Sequence, residues 1–458
     1  MRELSASANP ATGQATGVER QITRTPGGHI LTNVNVWSPD SQWIVYDTRS
    51  DPAGAVFDGE TIEAVHVSTG EVRVLYRSQH GAHCGVATFH PRENRVAFIL
   101  GPEHPTEEWQ YGPGHRRGVV VDVNSPERLH NLDARNLSPP FTPGALRGGT
   151  HVHVYSDDGK WVSFTYEDHV LMDLERRHVD AASADQNQRN VGVAVCDLPV
   201  RVPSTHPRNH AGECFSALVT TTVNSPRPGS DEISRAYEDA WIGRAGYVRA
   251  DGTRQARALA FLGDVLNARG EPLTELFVVD LPSDLTKAGL APLEGTASRR
   301  PAPPANVVQR RITHTADRKS PGVQGPRHWP RSCPDGSRIA FLMRDDGGVV
   351  QLWTVSPHGG SPLQITEGEV DVASAFTWRP DGEYIAYIAG GSVWVVFFNN
   401  RQSLRVTPPS PERSTPRPEA CVFSPDGRHI AFVRPVAEGS AVHNQIFVAS
   451  FDPDQHRQ

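Results

Sequence analysis

The sequence predicts an all-β fold, a seven-bladed β-propeller of four-stranded antiparallel blades whose ring is closed by an N-terminal strand. Three observations predict it: a hairpin sequence motif that occurs seven times, a composition rich in turn residues, and similar strand sequences near the two ends of the chain. The 458 residues include 40 Gly and 38 Pro, which suits many short strands joined by turns.

The repeated phrase is an apolar strand, a turn of the Pro-Asp-Gly type and a second alternating strand, which together make a hairpin. Further strand-like sequence follows each copy, so one repeat holds four short strands. Ser332, Trp378 and Phe423, at one position of three successive copies, are 46 and 45 residues apart, about the length of one blade. The copies are VWSPDSQWIVYDTR from Val36, TFHPRENRVAFILG from Thr88, VYSDDGKWVSFTYE from Val154, RSCPDGSRIAFLMR from Arg331, TWRPDGEYIAYIAG from Thr377, VFSPDGRHIAFVRP from Val422 and a weaker YVRADGTRQARALAFLGD from Tyr247.

The two ends of the chain predict how the ring closes. Blades finish with phrases such as LQIT at 363–366 and LRVT at 404–407, and RQIT at 20–23 stands before the first hairpin. We expect this segment to supply the fourth strand of the last blade, which removes an open sheet edge. The expected organisation is a disordered tail over 1–19 and a single domain over 20–458.

Composition and charge exclude several classes of protein. The formal charge of -7 is interspersed along the chain, so no basic stripe indicates nucleic-acid binding. No continuous apolar segment indicates a secretory signal or a membrane span, and we therefore expect a cytoplasmic protein. Five scattered cysteines without a CxxC pair indicate free thiols. A closed propeller needs no partner subunit, and a monomer is expected.

One end of the predicted channel carries the candidate site. The first strand of each blade lines the channel. In each repeat, the residue four positions before the one equivalent to Ser332, Trp378 or Phe423 is therefore expected at the same level of the channel, and these residues form one ring. The long strand 2 to 3 loops of blades 2 and 3 lie on the same face, where Trp109 and Tyr111 contact a sugar or a partner protein, or sit at a solvated loop tip. The ring comprises Asn33, Gly85, His151, Arg244, His328, Ser374 and Glu419.

One short helix and two insertions are predicted outside the regular blades. NSPRPGSDEISRAYEDAW, before the weak seventh copy, predicts a short helix capped by Ser230 or Asp231, with Ile233, Tyr237 and Trp241 at helical spacing. The insertions 199–213 and 281–308 fall on strand 3 to 4 connections and are expected on the opposite face.

RGGTHVHVYSDDGKW, residues 147–161, places two histidines one residue apart. On a regular extended strand His151 and His153 share a face. They are either part of a metal or catalytic site or structural imidazoles that bond to neighbouring blades. The candidate ligands for a divalent Mn, Zn or Fe ion are His151, His153, Gln324 and His328, with His83 and Glu419 nearby.

The repeats resemble the TolB-type propeller repeat over about residues 20–452. FDGETIEAVHV, RGGTHVHVYSDDGKW, DQNQRNVGVAV and DEISRAYEDAWIG resemble the YidR-like family of bacterial propellers, and the chain is more distantly similar to oligogalacturonate lyases. Those lyases are cytoplasmic propellers that use a divalent metal and cleave by β-elimination. Their Gln followed at short spacing by two alternating histidines is not matched here, because no such Gln precedes HVH.

The lyase resemblance implies roles for particular residues. A metal would neutralise the uronate carboxylate, a base would remove the α-proton, and a cation would clamp the substrate. His83 or Tyr166 would be the base and Arg147 or Arg244 the clamp, while Asn33, Trp109, Tyr111 and Glu419 would contact substrate. The functional hypothesis is a carbohydrate-active, metal-assisted lyase or hydrolase acting on a small acidic saccharide at the channel mouth. The alternative is a non-catalytic propeller that presents its elaborated face to a partner protein.

Overall fold

A computed structural model describes residues 17–51, 53–178, 184–327 and 329–452. It confirms the predicted fold: the described strands form seven four-stranded antiparallel sheets, arranged as the blades of a β-propeller. The described chain holds no helix long and apolar enough to cross a bilayer. All five cysteines are free thiols, as predicted.

The blades follow one another along the chain, and each is described from its innermost to its outermost strand. Blades 1 to 4 are Gly28–Ile30, Trp43–Arg49, Thr61–His66 and Val72–Arg77; Cys84–Phe89, Arg95–Leu100, Arg117–Asp122 and Ser125–Asn131; Gly148–Tyr155, Trp161–Asp168, Asn190–Val195 and Phe215–Leu218; Arg235–Trp241, Ala258–Leu266, Pro272–Asp280 and Val308–Arg311. Blades 5 to 7 are Arg331–Ser332, Ile339–Arg344, Val350–Ser356 and Gly359–Gln364; Thr377–Trp378, Tyr384–Ala389, Ser392–Phe397 and Ser403–Arg405; Cys421–Phe423, His429–Glu438, Ala441–Ser450 and Glu19–Gln21. Outside the blades are the strand pairs Ala134–Arg135 with Ala145–Leu146 and Tyr247–Val248 with Arg254–Gln255, an α-helix at His169–Arg176 and a 3-10 turn at Glu412–Ser414.

The N-terminal strand closes the ring. Glu19–Gln21 pairs antiparallel with Ala441–Ser450, as predicted from RQIT. Arg434 of the same blade binds the Glu19 carboxylate at 2.7 Å. The first and last segments of the described chain therefore share one sheet, and this pairing covers the edge of Ala441–Ser450. Most of the predicted tail, residues 1–16, lies outside the described residues, and Glu19 already belongs to the closing strand.

The Pro-Asp-Gly turns form for a local reason. In the blade 7 turn, the Asp426 carboxylate accepts a hydrogen bond from the Arg428 backbone N–H at 3.0 Å, and Gly427 takes φ 70°. Asp335 and Asp381 accept the same bond in blades 5 and 6. Aspartate bonds its own turn, and glycine adopts positive φ without a Cβ clash, so these residue types build the same hairpin in each copy.

Tryptophans of three blades tie neighbouring innermost strands together. The Trp37 indole N–H donates to the Val422 carbonyl, and the Trp378 indole donates to the Arg331 carbonyl. Trp241 makes the same kind of bond across blades 3 and 4. Apolar side chains of adjacent blades fill the space between the sheets, so the core is a ring of clusters.

Blade 4 departs from the prediction. The segment predicted as a short helix is instead the innermost strand, Arg235–Trp241, which pairs with Ala258–Leu266. The weak seventh copy from Tyr247 starts with a separate small hairpin outside the blade. The spacing of Ile233, Tyr237 and Trp241 fits a helix, and only pairing with the neighbouring strand selects the extended form. This correction also removes Arg244 from the predicted ring.

The insertion 281–308 leaves from the strand 3 to 4 connection of blade 4, as predicted, but its tip reaches the other end of the molecule. The carbonyls of Thr296 and Arg299 accept hydrogen bonds from the guanidinium of Arg147, which directly precedes the innermost strand of blade 3. The predicted confinement of this insertion to the opposite face is therefore wrong.

The insertion 199–213 behaves in the same way. Arg208 donates to the carbonyls of Glu103 and His104 at 2.7 and 2.9 Å, and both residues belong to the strand 2 to 3 connection of blade 2. The insertion thus crosses the outside of the ring and braces the loops of the face that carries the candidate site.

Candidate functional site

A cavity of about 230 Å³ opens at the end of the channel where the strand 2 to 3 connections and the blade-to-blade connections meet. We call it the channel-mouth cavity. It lies on the face that the sequence predicted. Of the twelve candidate residues, four line it: Asn33, Tyr111, His151 and Glu419.

The innermost strands of blades 2 and 3 are interrupted by β-bulges at this cavity. Val86 and Val152 occupy the bulges with φ of 60° and 55°, and both line the cavity. Left-handed backbone costs a residue with a Cβ about 1–2 kcal/mol and is rare for β-branched side chains. The Asp47 carboxylate stabilises the first bulge by accepting a hydrogen bond from the Val86 N–H at 3.0 Å. Strained backbone of this kind is concentrated at functional sites.

The blade 3 bulge separates the two histidines of HVH. His151 pairs with Thr165, whereas His153 lies opposite Phe164, the adjacent residue on the neighbouring strand. Adjacent strand residues project from opposite faces, so the prediction that the two histidines share a face is wrong. His153 is 0% exposed and its Nε2 lies 2.9 Å from the Thr150 hydroxyl. Burial lowers the pKa of His153 to about 3, and this imidazole is structural.

His151 is half-buried in the wall of the cavity. Burial, followed by the positive charges of Arg116 and Arg189, holds the pKa of His151 well below its usual range. Arg327 lowers it further. The imidazole is therefore neutral at pH 7, with a ring nitrogen able to accept a proton.

Guanidinium groups dominate the charge around His151. Arg116 is buried, its Nε has no hydrogen-bond partner, and no carboxylate within the described ranges pairs with it. Burial lowers the pKa of Arg116, and the nearby Tyr111 opposes that shift. Because the other cations are each paired, Arg116 gives the site an excess positive charge. The paired groups are Arg49 with Asp47 at 2.7 Å, Arg189 with Glu167 at 2.8 Å and Arg327 with Glu419 at 3.4 Å.

Aromatic rings form one wall of the cavity. Phe57 and Tyr111 stack with ring centroids 4.4 Å apart and planes 10° apart, and the Arg49 guanidinium lies 4.6 Å from the Phe57 centroid. Gly85 makes room for this arrangement. A Cβ there would lie 2.6 Å from Asp47 Oδ2 and 2.9 Å from Phe57 Cε2, so only glycine fits beside these side chains.

Arg147 and Tyr166 lie outside the cavity lining, in a fully buried cluster. Arg147 binds the Asp168 carboxylate at 2.6 Å, and its remaining donors face the backbone carbonyls of the 281–308 insertion. The Tyr166 hydroxyl accepts a hydrogen bond from the Arg147 N–H, and burial raises the pKa of Tyr166 well above 10. The structure does not support the predicted clamp and base roles, since both side chains contact protein alone.

Two other predicted residues lie elsewhere. Trp109 is 7% exposed and stacks on His115 at 3.8 Å, so its indole is part of the protein interior and not a substrate contact. Arg244 lies at the opposite end of the channel, where its Nε is 3.6 Å from Asp157. His83 is half-buried and does not line the cavity, and its Nδ1 has no hydrogen-bond partner among the described residues.

The predicted metal set does not converge. The Gln324 amide donates to the Pro321 carbonyl at 2.6 Å and accepts from Arg344 at 3.3 Å, and His328 lies outside the described residues. With His153 on the other face of its strand, His151 alone of the three described residues in the predicted ligand set, His151, His153 and Gln324, lines the cavity. No group of three or more His, Cys, Asp or Glu in the described ranges could hold a metal ion. Cationic surroundings also oppose a divalent cation, so the residues do not fit a metal centre.

Several residues of the site were missed by the sequence analysis. Arg49, Phe57, Arg327 and Trp329 line the cavity, and Arg116 lies beside His151. Most of these residues belong to the ends of second strands or to loops. The predicted ring contained only residues of the first strands. The signal for Arg116 was its place in GPGHRRG, directly before the third strand of blade 2.

The fold and the site together define a seven-bladed β-propeller with an aromatic-walled cavity at one end of its channel, lined by two arginines and two carboxylates. The uncharacterized protein YidR of Escherichia coli (strain K12) is 47% identical over 418 residues, which cover 90% of this chain and 94% of the relative. The chain belongs to the YidR family. The family model described as "Protein of unknown function (DUF3748)" matches residues 83–210, the blades that carry Tyr111, Arg116 and His151.

Solved structures of oligogalacturonate lyase share the fold. One such lyase in complex with manganese aligns with a TM-score of 0.54 and 10% identity, covering 96% of this chain and 99% of that chain. The enzyme from Vibrio parahaemolyticus gives a TM-score of 0.53, with the same identity and coverage. At this level of identity the likeness is one of fold.

Proposed function

We propose that the channel-mouth cavity binds a small acidic saccharide and that the protein cleaves it by β-elimination. The observation that carries the proposal is the excess positive charge of Arg116, which is buried outside the cavity lining and acts on the neutral imidazole of His151 in a cavity walled by aromatic rings. An anionic ligand supplies the missing countercharge, and a carboxylate suits the fork geometry of guanidinium groups.

The shape and chemistry of the wall suit a sugar ring that bears a carboxylate. The stacked Phe57 and Tyr111 present apolar surface, while Asn33 and Glu419 supply hydrogen-bonding groups. A volume of about 230 Å³ lies below the ~300–1,000 Å³ of pockets for drug-sized ligands, which indicates a site for one sugar residue.

The elimination uses groups of this chain. A neutral His151 accepts the proton on the carbon next to the uronate carboxylate, and the C–H electron pair becomes a carbon–carbon double bond. The adjacent C–O bond breaks, and the leaving oxygen takes a proton from the Tyr111 hydroxyl or from water. Guanidinium groups stabilise the charge that develops on the carboxylate. Binding of that carboxylate also offsets the field of Arg116 and Arg189, which raises the basicity of His151 when substrate is present.

Elimination is favoured over hydrolysis. Glycoside hydrolysis ordinarily uses two carboxyl groups, one as acid and one as nucleophile or base. The two carboxylates that line the cavity, Asp47 and Glu419, are held by Arg49 and Arg327. In the solved lyase named above manganese is bound, whereas here guanidinium groups take the charge-neutralising part, and turnover is expected to survive a chelator.

The test is calorimetric titration with galacturonate and digalacturonate, followed by ultraviolet detection of an unsaturated product. We expect Arg327→Ala to weaken binding at least tenfold and His151→Ala to abolish the product while binding changes only a few-fold. The exposed Arg128→Ala is the matched control and leaves both unchanged.

Absence of uronate binding by the folded protein would overturn the proposal. Copurification of a partner protein through the channel-mouth face would then support the alternative, a non-catalytic scaffold. Binding without product would retain the ligand and reject the elimination. A cytoplasmic location and a monomeric state stay predictions.

A further inference from the structure

A second cavity, of about 260 Å³, lies at the other end of the channel. The strand 1 to 2 turns surround it, and we call it the turn-face cavity. The side chains that matter for its chemistry are Asp239, Arg331, Trp241, Trp378, Arg244 and Asp157. None of them lines the channel-mouth cavity.

Two buried charges face this cavity with unused hydrogen-bonding capacity. Asp239 is 3% exposed and its Oδ2 has no partner, and Arg331 is 8% exposed and its Nε has no partner. The other Arg331 donors bind the Asn33 side-chain oxygen at 2.5 Å and the Pro330 carbonyl at 2.9 Å. Buried polar atoms are almost always hydrogen-bonded, so a group from outside the chain is expected to satisfy these two.

The two charges attract each other without touching. The Asp239 carboxylate and the Arg331 guanidinium interact electrostatically, yet within the described chain they do not come within ion-pair distance. The gap is bounded by a hydrogen-bond acceptor on one side and a donor on the other. A hydroxyl group fits such a gap because it donates to a carboxylate and accepts from a guanidinium.

The walls of the cavity favour a ring. Trp241 and Trp378 line it, and their indole N–H groups are bonded to the carbonyls of Val154 and Arg331, so the rings are fixed in place. Aromatic side chains offer large apolar area at low conformational cost, which suits a ligand with an apolar face and polar edges.

The net charge of the turn-face cavity is balanced. Asp239 and Glu238 both act on Arg331, and at the rim the Asp157 carboxylate is shared by Arg92 at 3.0 Å and Arg244 at 3.6 Å, so three acidic side chains offset three basic ones. A neutral ligand leaves this balance intact, whereas an anion or a cation would disturb it. The two cavities therefore favour ligands of different charge. The turn-face cavity suits a neutral ligand, whereas the unpaired Arg116 near the channel-mouth cavity favours an anion.

We propose that the turn-face cavity is a second small-molecule site that takes a neutral polyhydroxylated ring of monosaccharide size, whose hydroxyls bridge Asp239 and Arg331. The site is independent of the function proposed for the channel mouth. Its volume, just under the range for drug-sized pockets, suits one such ring.

The test is a calorimetric and thermal-shift panel of galactose, glucose and galacturonate on the full chain. We expect a neutral hexose to bind and raise the melting temperature, and Asp239→Asn to weaken that binding at least tenfold. Asp251→Asn, an exposed carboxylate in the small blade 4 hairpin, is the control and leaves binding unchanged.

A second variant guards against misfolding. Arg244→Ala removes an exposed rim cation and is expected to weaken hexose binding a few-fold while the melting temperature without ligand stays constant. Arg327→Ala, at the channel mouth, leaves hexose binding intact and so separates the two sites. The inference is overturned if no neutral hexose binds, if Asp239→Asn binds as well as the parent, or if a crystal grown with galactose shows water alone between Asp239 and Arg331.

Discussion

His151 and His153 project from opposite faces of the innermost strand of blade 3, although only Val152 separates them in the chain. The bulge at Val152 inserts one extra residue against Phe164 and breaks the alternation of the strand. One imidazole therefore enters the channel-mouth cavity, and the other packs inside the protein against the Thr150 hydroxyl.

The two histidines are expected to respond differently to removal. His153→Ala leaves a cavity in the interior and removes the hydrogen bond to the Thr150 hydroxyl, which keeps its bond to Asp133, so we expect it to lower the free energy of unfolding by about 2–4 kcal/mol. His151→Ala, in the cavity wall, is expected to cost less than about 1 kcal/mol. Urea unfolding at pH 7 measures both. Equal losses for the two variants would contradict the assignment of one histidine to the site and the other to the core.

Arg147 is expected to stabilise the fold without contributing to the site. Arg147→Met leaves Asp168 buried without its cation, and we expect the free energy of unfolding to fall by about 3–5 kcal/mol. Arg73→Met breaks an exposed pair with Glu71, whose side chains are 52% and 51% exposed, and is expected to change it by about 0–1 kcal/mol. Denaturant titration compares the two. A specific loss of uronate affinity in folded Arg147→Met would show instead that Arg147 acts on the ligand.

Asp239 should make stability depend on pH. Burial raises its pKa from 3.8 to about 6, with Glu238 adding to the rise and Ser163 and Arg331 opposing it. Between about pH 4 and pH 6 the folded chain retains a proton that the unfolded chain has lost, so this group lowers stability as the pH rises through that window.

Substitution of Asp239 tests that dependence. Relative to the parent, Asp239→Asn is expected to gain from about zero at pH 4 to at most about 3 kcal/mol above pH 6. Urea unfolding at a series of pH values measures the difference. Asp251→Asn is the control, and because hydrogen bonds from Thr253 lower the pKa of Asp251, it is expected to show no gain as the pH rises. A gain that is the same at every pH would mean that Asp239 is ionised throughout.

The closing strand should govern the integrity of the ring. Deletion of residues 1–23 removes the partner of Ala441–Ser450 and the Glu19 carboxylate bound to Arg434. We expect a lower melting temperature and association of exposed sheet edges, seen by thermal melting and size-exclusion chromatography. Deletion of residues 1–16 alone is the control and leaves both unchanged. If the longer deletion melts like the parent, the ring does not depend on this closure.

The sequence predicted the regular blades because their signals are local. An aspartate that bonds its own turn and a glycine at positive φ specify each hairpin within a few residues, as at Asp426 and Gly427. Blade 4 was predicted wrongly because Ile233, Tyr237 and Trp241 fit helical spacing as well as they fit the strand that pairing selects. The channel-mouth cavity lies on the face indicated by loop lengths and by the polar ends of the first strands, and the function of that face stays a prediction.

The number of blades and the closure of the ring follow from the sequence, since repeats and turn residues encode them within short segments. Only the tertiary structure decided which side chains meet at the channel mouth. Arg116 reaches His151 from a loop of another blade, the bulge at Val152 turns His153 away, and the 281–308 insertion buries Arg147. The physical reason is that contacts between blades, and bulges fixed by those contacts, depend on residues far apart in the chain and leave no periodic trace in it.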